Sequence, residues 1–276
     1  MPELPEVETT RRGLHPYLEG QRLARVHVRC GAFRQPLPAD FAESVTARRI
    51  RELGRRGKYL LWHFEGGLVL LQHLGMSGRM AVFEGPPPAP SAHDHLDFET
   101  EKGVLLRYRD PRRFGLFAFA EAAALATHPL LKAMGPEPLE AGFDGAALRA
   151  RLGASRRPLK TALLDQHVVA GLGNIYVCES LYEAGLSPNR PAGSLGPKRA
   201  AKLAAAIQGV LGRAIKAGGS TLRDHAQPSG ELGYFQHRFA VYDREGRPCP
   251  GCDCARGVRR LRQGGRSTFY CPKRQR

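Results

Sequence analysis

The first residues of this 276-residue chain, Pro2-Glu3-Leu4-Pro5-Glu6, combine groups that could do chemistry. Met1 is ordinarily trimmed before a small second residue, and its removal makes Pro2 the terminus. The Pro2 nitrogen is then a secondary amine, able to attack a carbon and collapse to a charged iminium by Schiff-base logic. An α-amino group titrates near pH ~8, so part of it is nucleophilic at neutral pH. Glu3 lies beside it as a general acid or base, with Glu6 one helical turn on. The same residues also suit a plain helix start, where proline fits the first turn and carboxylates complement the dipole. At the other end of the chain Cys249, Cys252, Cys254 and Cys271 crowd together, a pattern that points to metal rather than a disulfide framework.

The elements that must position these groups are legible in outline. Val7, Leu14 and Leu18 share one face of a short helix. Val26, Val28 and Cys30 alternate with polar residues as a half-buried strand does. Lys58–Phe64 and Leu68–Leu71 flank Glu65-Gly66-Gly67 as a hairpin, and further strands are predicted over 96–100, 104–108 and 115–119. These short antiparallel strands suggest a two-sheet sandwich. The character changes near residue 130. The stretch 145–217 reads as helical, with Leu148 and Leu152 four apart and a stripe of Leu203, Ile207, Val210 and Leu211 ending at Gly218-Gly219. An apolar helix is predicted to run to about Val169 and break at Gly171 and Gly173, with a second starting at Asn174 as N-cap. From Gly230 the text is Gly- and Arg-rich and strand-like.

Charge narrows the partner. Forty-two Lys and Arg against 26 Asp and Glu give a net charge of +16, a polyanion-binding balance for which nucleic acid is the default. Residues 244–276 alone hold ten Lys/Arg and two Asp/Glu. The chain has no apolar run near the ~20 residues of a spanning helix and no signal-peptide pattern, so neither a membrane protein nor a secreted one is expected. Several loops could meet a duplex. Arg55-Arg56-Gly57-Lys58 is a basic turn. His73-Leu74-Gly75-Met76-Ser77-Gly78 follows an apolar strand, and Asp110-Pro111-Arg112-Arg113-Phe114 forms a second loop. Met76 reads either as core filler or as an apolar wedge of the kind that fills a gap in a base stack. Lys160 and the Gly171-Leu172-Gly173-Asn174 turn suit a phosphate, since helix N-termini and glycine turns expose backbone N–H groups.

PELPEVETTRRGL at the start, the RRGK turn, HLGMSG, DPRRFG and GLGNIY followed by Glu179 occur here in the order in which the bacterial formamidopyrimidine-DNA glycosylase family has them, and the chain resembles that family from Pro2 through Tyr270. The resemblance implies an α+β multidomain protein. Residues 1–130 would be an N-terminal antiparallel β-sandwich with flanking helices, and 131–144 a linker. Residues 145–235 would form a helix-two-turn-helix bundle, and 236–276 a β-hairpin zinc-finger-like module. It implies a bifunctional glycosylase and abasic-site lyase of base excision repair, acting on oxidised purines such as 8-oxoguanine and formamidopyrimidines. Pro2, Glu3 and Lys58 would be catalytic. His73, Met76, Arg112, Arg113, Phe114, Lys160, Asn174 and Arg266 would touch DNA, with Met76, Arg112 and Phe114 filling the void left by a flipped nucleotide. The run from Gly218 through Asp224 to Gln236 would close over the extruded base. The partner implied is double-stranded DNA containing oxidised purines or abasic sites, bound by a cytoplasmic, nucleoid-associated monomer.

The chain departs from the family's pattern at the metal. Four thiolates in Cys-x2-Cys pairs would place the last at 274, which is Arg274, while Cys254 is an extra cysteine. Either Cys254 supplies the fourth ligand to one structural Zn2+, or the site is weakened. Three other readings compete. The sister class removing oxidised pyrimidines usually has glycine where this chain has Leu4. A non-catalytic DNA-binding relative should lack Pro2, Glu3 or Lys58, all of which are present. A general zinc-ribbon nucleic-acid binder leaves the Pro-Glu start unexplained.

Overall fold

The computed structural model describes residues 2–220 and 228–276, which divide into two compact units. The first comprises residues 1–132 with 217–234, and the second 133–216 with 235–276. The helical segment and the C-terminal hairpin thus share one unit, and 217–234 returns to the other. The sequence had divided these stretches at 130, 144 and 235.

The first unit opens with α1 (Leu4–Leu18), three residues longer at its start than the apolar stripe from Val7 suggests. A reciprocal capping box explains the early start: the Glu3 side chain accepts the Glu6 N–H while Glu6 Oε2 accepts the Glu3 N–H at 2.9 Å. The strands β1 (Leu23–Val28), β2 (Ile50–Arg56), β3 (Tyr59–Phe64), β4 (Leu68–His73), β5 (Arg79–Phe83), β6 (Asp94–Thr100), β7 (Leu105–Arg109) and β8 (Leu116–Glu121) follow, with a short helix α2 (Phe41–Val45) after β1. They form two antiparallel four-stranded sheets in the orders β1-β6-β7-β5 and β2-β3-β4-β8. The two sheets and α1 enclose one core that includes Trp62, Phe98, Tyr108, Leu14 and Leu18. The buried indole of Trp62 is satisfied by Gln72 Oε1 at 3.0 Å. In β1 the expected alternation fails, because Val28 is exposed while Val26 is buried. The register shift against β6, as in a β-bulge, lies earlier, between Leu23 and Arg25; the pairing is regular from Arg25 to Val28, which is the last residue of the strand.

Segment 217–234 is tied to the rest of this unit at two points: Ser220 bonds Glu6, and Val82 N–H donates to the Pro228 carbonyl at 3.0 Å. Within the segment, Tyr234 N–H donates to Ala217 O at 3.0 Å. A Cβ on Gly13 would lie 2.9 Å from the Pro228 ring, so α1 needs glycine there. Thr221, Leu222, Arg223 and Asp224, which the sequence assigns to the loop over an extruded base, lie outside the described residues, as does Met1.

The second unit contains α3 (Gly145–Leu152), α4 (Leu159–Leu163), α5 (Asn174–Ala184) and α6 (Pro197–Lys216), then the hairpin β9 (Arg259–Gln263) and β10 (Arg266–Tyr270). Asp144 caps α3 by accepting the Ala147 N–H at 2.8 Å. The helix expected to reach Val169 ends instead at Leu163. Asp165 Oδ1 accepts the His167 N–H at 3.0 Å, a local bond that competes with continuing the helix. Strand structure after Gly230 is confined to the hairpin and isolated bridges, and residues 235–238 form a 3₁₀ turn. No helix among the described residues is long and apolar enough to cross a membrane.

Candidate active site

In the first unit the chemistry-bearing N-terminus is immobilised by carboxylates. Pro2 is buried, and Glu3, only 3% exposed, is the N-cap residue of α1. Glu6 adds a long-range tie: its Oε1 accepts from Ser220 N at 2.8 Å and from Ser220 Oγ at 3.0 Å. One carboxylate therefore links the Pro2–Glu3 start to a segment more than 200 residues away in sequence. Lys58 is buried at the turn between β2 and β3, where Gly57 adopts φ +55° and lets the chain reverse.

Two further loops meet at Asp110, which is fully buried. Its Oδ1 accepts from Ser77 Oγ at 2.6 Å, and its Oδ2 accepts from Gly115 N at 2.8 Å and Tyr108 OH at 3.1 Å. Ser77 Oγ in turn accepts the Arg112 N–H at 3.2 Å. The backbones approach so closely that a Cβ on Gly75, itself at φ +66°, would lie 2.3 Å from the Phe114 carbonyl carbon. The loops carry large apolar side chains left in solvent, Met76 at 40% and Phe114 at 42% exposure. Exposed apolar groups on adjoining, clamped loops are unlike core filler. The Arg112 guanidinium covers the Phe114 ring at 4.7 Å, and Arg113 is exposed beside them in a left-handed conformation at φ +53°. His73 stands at the end of β4. Its Nδ1 accepts the Gly75 N–H at 2.9 Å and its ring meets Tyr59 edge-on. Burial, reinforced by the charges of Lys58 and Arg34, lowers its pKa to about 4, so it is neutral at physiological pH.

In the second unit the turn between α4 and α5 is clasped by one side chain. Gln166 Oε1 accepts the Gly171 N–H at 2.9 Å and its Nε2 donates to Leu172 O at 2.9 Å. Gly173 is the N-cap of α5, so Asn174 is its first helical residue rather than the cap. The Asn174 side chain instead donates to Ser267 O at 2.9 Å, joining the turn to the hairpin. Lys160 is wholly enclosed in α4, whereas Arg266 is exposed just after the Gly264-Gly265 hairpin turn, both glycines having positive φ. Glu179 of α5 accepts N–H bonds from Ala240, Val241 and Tyr242 at 2.8, 3.0 and 2.8 Å, anchoring the chain that leads into the cysteines.

The four C-terminal cysteines converge. Sulfur–sulfur distances are 3.1 Å for Cys249–Cys252, 3.5 Å for Cys252–Cys271, and 3.6 Å for both Cys254–Cys249 and Cys254–Cys271. A tetrahedron of Zn–S bonds near 2.3 Å has edges of about 3.8 Å, so the cluster has the size and donor set of a closed structural zinc site. Cys254 takes the fourth corner, and position 274 is not needed there. Arg274 stacks over the Tyr182 ring at 4.9 Å and donates to Tyr182 O and Gly251 O. Of the residues that matter here, sequence reasoning overlooked Glu8, Ser77, Asp110 and Gln166. Only the Glu3-x-x-Glu6 spacing carried a local signal, that of a capping box.

A β-sandwich headed by a capped Pro-Glu start, with a separate unit of helical turn and four-cysteine hairpin, defines a two-unit α+β class in which candidate groups are distributed over both units. Residues 1–117 match the formamidopyrimidine-DNA glycosylase N-terminal domain, and residues 134–226 match the formamidopyrimidine-DNA glycosylase H2TH domain. The formamidopyrimidine-DNA glycosylase of Rhodospirillum rubrum is 57% identical, with both chains covered in full. The crystal structure of the MutM (Fpg) protein from Thermus thermophilus superposes with a TM-score of 0.86 at 44% identity, covering 99% of this chain and 98% of that one. Wild-type Lactococcus lactis Fpg in complex with N7-benzyl-Fapy-dG containing DNA gives 0.89 at 33% identity, with full coverage of both. The chain belongs to the formamidopyrimidine-DNA glycosylase family.

Proposed function

We propose that this protein is a DNA glycosylase of base excision repair that removes formamidopyrimidines and 8-oxoguanine from duplex DNA and then cleaves the strand as an abasic-site lyase. The observation that carries the reading is the immobilised start of α1, where Pro2 is buried beside a Glu3 locked into a capping box. With Met1 removed, the Pro2 amine attacks C1′ of the extruded nucleotide. The glycosidic bond breaks with its electron pair leaving on the base. The proton lost from the attacking nitrogen passes by way of Glu3 to the ring oxygen as the sugar opens to an iminium. The iminium acidifies the adjacent C2′–H. Its removal expels the 3′ phosphate, and a second elimination expels the 5′ phosphate. Lys58 supplies positive charge at the reacting sugar and its phosphates.

Met76, Arg112 and Phe114 enter the gap left by the nucleotide. Arg113 and Asn174 meet phosphates, and Arg266 inserts beside the lesion from the hairpin turn. Lys160, being enclosed, adds positive potential beneath the α4–α5 turn rather than a direct contact. His73, neutral and bonded to Gly75, acts by holding the Met76 loop. Cys249, Cys252, Cys254 and Cys271 hold one zinc, which supplies cross-linking free energy to the hairpin carrying Arg266. A cytoplasmic monomer at the nucleoid fits this activity.

Borohydride trapping tests the reading, because it reduces an iminium to a stable amine. A duplex with a single 8-oxoguanine should give a covalent protein–DNA band that disappears in Pro2→Gly. A band formed mainly with a thymine-glycol duplex would move the protein to oxidised pyrimidines. No band on either, with duplex binding retained, would leave a DNA-binding relative without the chemistry.

A further inference from the structure

The active-site reading assigns no role to Glu8, yet this side chain sits between two of its parts. It lies on α1, shortly after the Pro2–Glu3 start, and its side chain is 10% exposed. Glu8 Oε1 accepts from Arg11 Nη2 at 2.9 Å and Arg12 Nε at 2.8 Å, while Oε2 accepts from Arg11 Nε and Arg55 Nε, each at 3.1 Å. Two of the three arginines continue into the β2–β3 hairpin. Arg11 Nη1 donates to Leu53 O at 3.2 Å, and Arg55 Nη1 donates to Gly57 O at 2.8 Å. Gly57 is the turn residue immediately before Lys58. A chain of charge-assisted bonds thus runs from the helix bearing Pro2 and Glu3, through Glu8 and Arg55, to the backbone that delivers Lys58.

We propose that Glu8, acting through Arg55, is a positioning residue that holds the Lys58 turn in register with the Pro2–Glu3 end of α1; this rests on the assignment of Pro2, Glu3 and Lys58 given above. The geometry distinguishes the cluster from an ordinary surface ion pair. The carboxylate is shielded, it receives four bonds, and Arg55 is itself only 11% exposed. Burial opposes ionisation of Glu8. Hydrogen bonds from Arg11 and Arg12 and the charges of Arg11 and Arg55 outweigh it and bring the pKa to about 2, so the clamp stays charged at neutral pH. Neither partner has a substitute. A glutamine would turn an N–H2 toward a guanidinium, and a lysine at 55 lacks the rigid fork that reaches Glu8 and Gly57 O together.

The test is a double-mutant cycle read by single-turnover excision from a duplex with one 8-oxoguanine, using full-length wild type, Glu8→Gln, Lys58→Ala and the double variant. Melting temperatures are measured alongside, and rates are taken well below them. A displaced reacting group costs up to about a hundredfold in rate, so Glu8→Gln should slow excision by about tenfold to a hundredfold while duplex affinity is retained. In the Lys58→Ala background the same change should slow nothing further, because Glu8 acts through the residue already removed. A merely structural Glu8 would slow both backgrounds by the same factor, and that result, or a wild-type rate in Glu8→Gln, overturns the proposal. If Lys58→Ala alone excises at the wild-type rate, the assignment of Lys58 falls and takes the proposal with it, an outcome distinct from the other two. Arg55→Lys provides a second entry to the cycle should Glu8→Gln fold poorly, with the same non-additivity expected.

Discussion

Asp110→Asn changes one atom in the joint between the Met76 loop and the Arg112–Phe114 loop. The carboxylate accepts three donors, one on Oδ1 and two on Oδ2. An amide offers a single oxygen. If that oxygen stays with Tyr108 and Gly115, the N–H2 faces Ser77 Oγ, and the serine hydroxyl loses its acceptor while still holding the Arg112 N–H. If the amide is turned over, the N–H2 points at the Gly115 N–H and the Tyr108 hydroxyl. Either way at least one bond to a charged acceptor is lost in a fully buried site, a cost of about 1.5–3 kcal/mol, and the remaining bonds weaken as the charge goes. We expect a total of about 2–4 kcal/mol, less than the 5–15 kcal/mol of a typical domain, so the variant should fold. Urea denaturation at pH 7 measures the loss. Function is followed by stopped-flow fluorescence of 2-aminopurine placed opposite the lesion, which reports filling of the stack. The filling phase should slow while initial duplex binding persists, and Ser77→Ala should show the same effect more weakly. A variant within about 0.5 kcal/mol of wild type, the ordinary scatter of neutral substitutions, and with an unchanged filling phase would refute the joint.

Three further outcomes follow from the same structure. Cys254→Ala should lower zinc content well below the approximately one ion per chain expected of wild type and weaken DNA affinity, measured by metal analysis and gel shift, because three thiolates leave the tetrahedron open. Arg274→Ala should keep its zinc. His73, with a folded pKa near 4 against an ordinary 6.5, favours the folded state fully above pH 6.5 and progressively less as pH falls toward 4. Nitrogen NMR should show a neutral ring with the proton on Nε2 throughout pH 6–8. Glu8, lowered to about 2 from 4.5, contributes stability that is complete above about pH 4.5 and is lost as pH falls toward 2. Glu8→Gln should therefore flatten the acid limb of a melting-temperature profile.

Much of this was legible in the sequence because it depends on local pattern. The Glu65-Gly66-Gly67 turn, the apolar runs of β3 and β4 and the stripe of α6 are each decided by neighbours within a few residues. The motifs, too, are short local runs, which is why candidate site residues could be named from them. Two kinds of feature resisted. A helix end set by a side chain was misplaced: Asp165 stops α4 early, whereas a helix start at Pro2–Glu6 was among the readings the sequence offered. Contacts between distant residues left no trace, as between Glu6 and Ser220, whereas the four cysteines were grouped in the sequence and do converge. Arg274 left two readings open in the sequence, a fourth ligand from Cys254 or a weakened site, because spacing fixes which residues are close along the chain while a tetrahedron is closed in space.

A single physical device recurs at these illegible places. In a chain of net charge +16, acidic side chains are the scarcer charged groups, and several are buried where loops must be held. Glu6 takes Ser220, Glu8 takes three arginines, Asp110 takes Ser77, Tyr108 and Gly115, and Glu179 takes three successive backbone N–H groups. A buried carboxylate suits this work, since it is costly to leave unsatisfied and accepts several donors at once, so the loops it joins cannot part without exposing an unpaired charge. For a protein whose outer surface is to meet a polyanion, the arrangement also keeps these negative charges away from the partner. Many of the basic groups face outward, Arg12, Arg112, Arg113 and Arg266 among them, and the acidic ones fix where the basic and apolar groups stand. Buried acid and exposed base are therefore two parts of one design, and substitutions at the acids should disturb geometry before they disturb affinity.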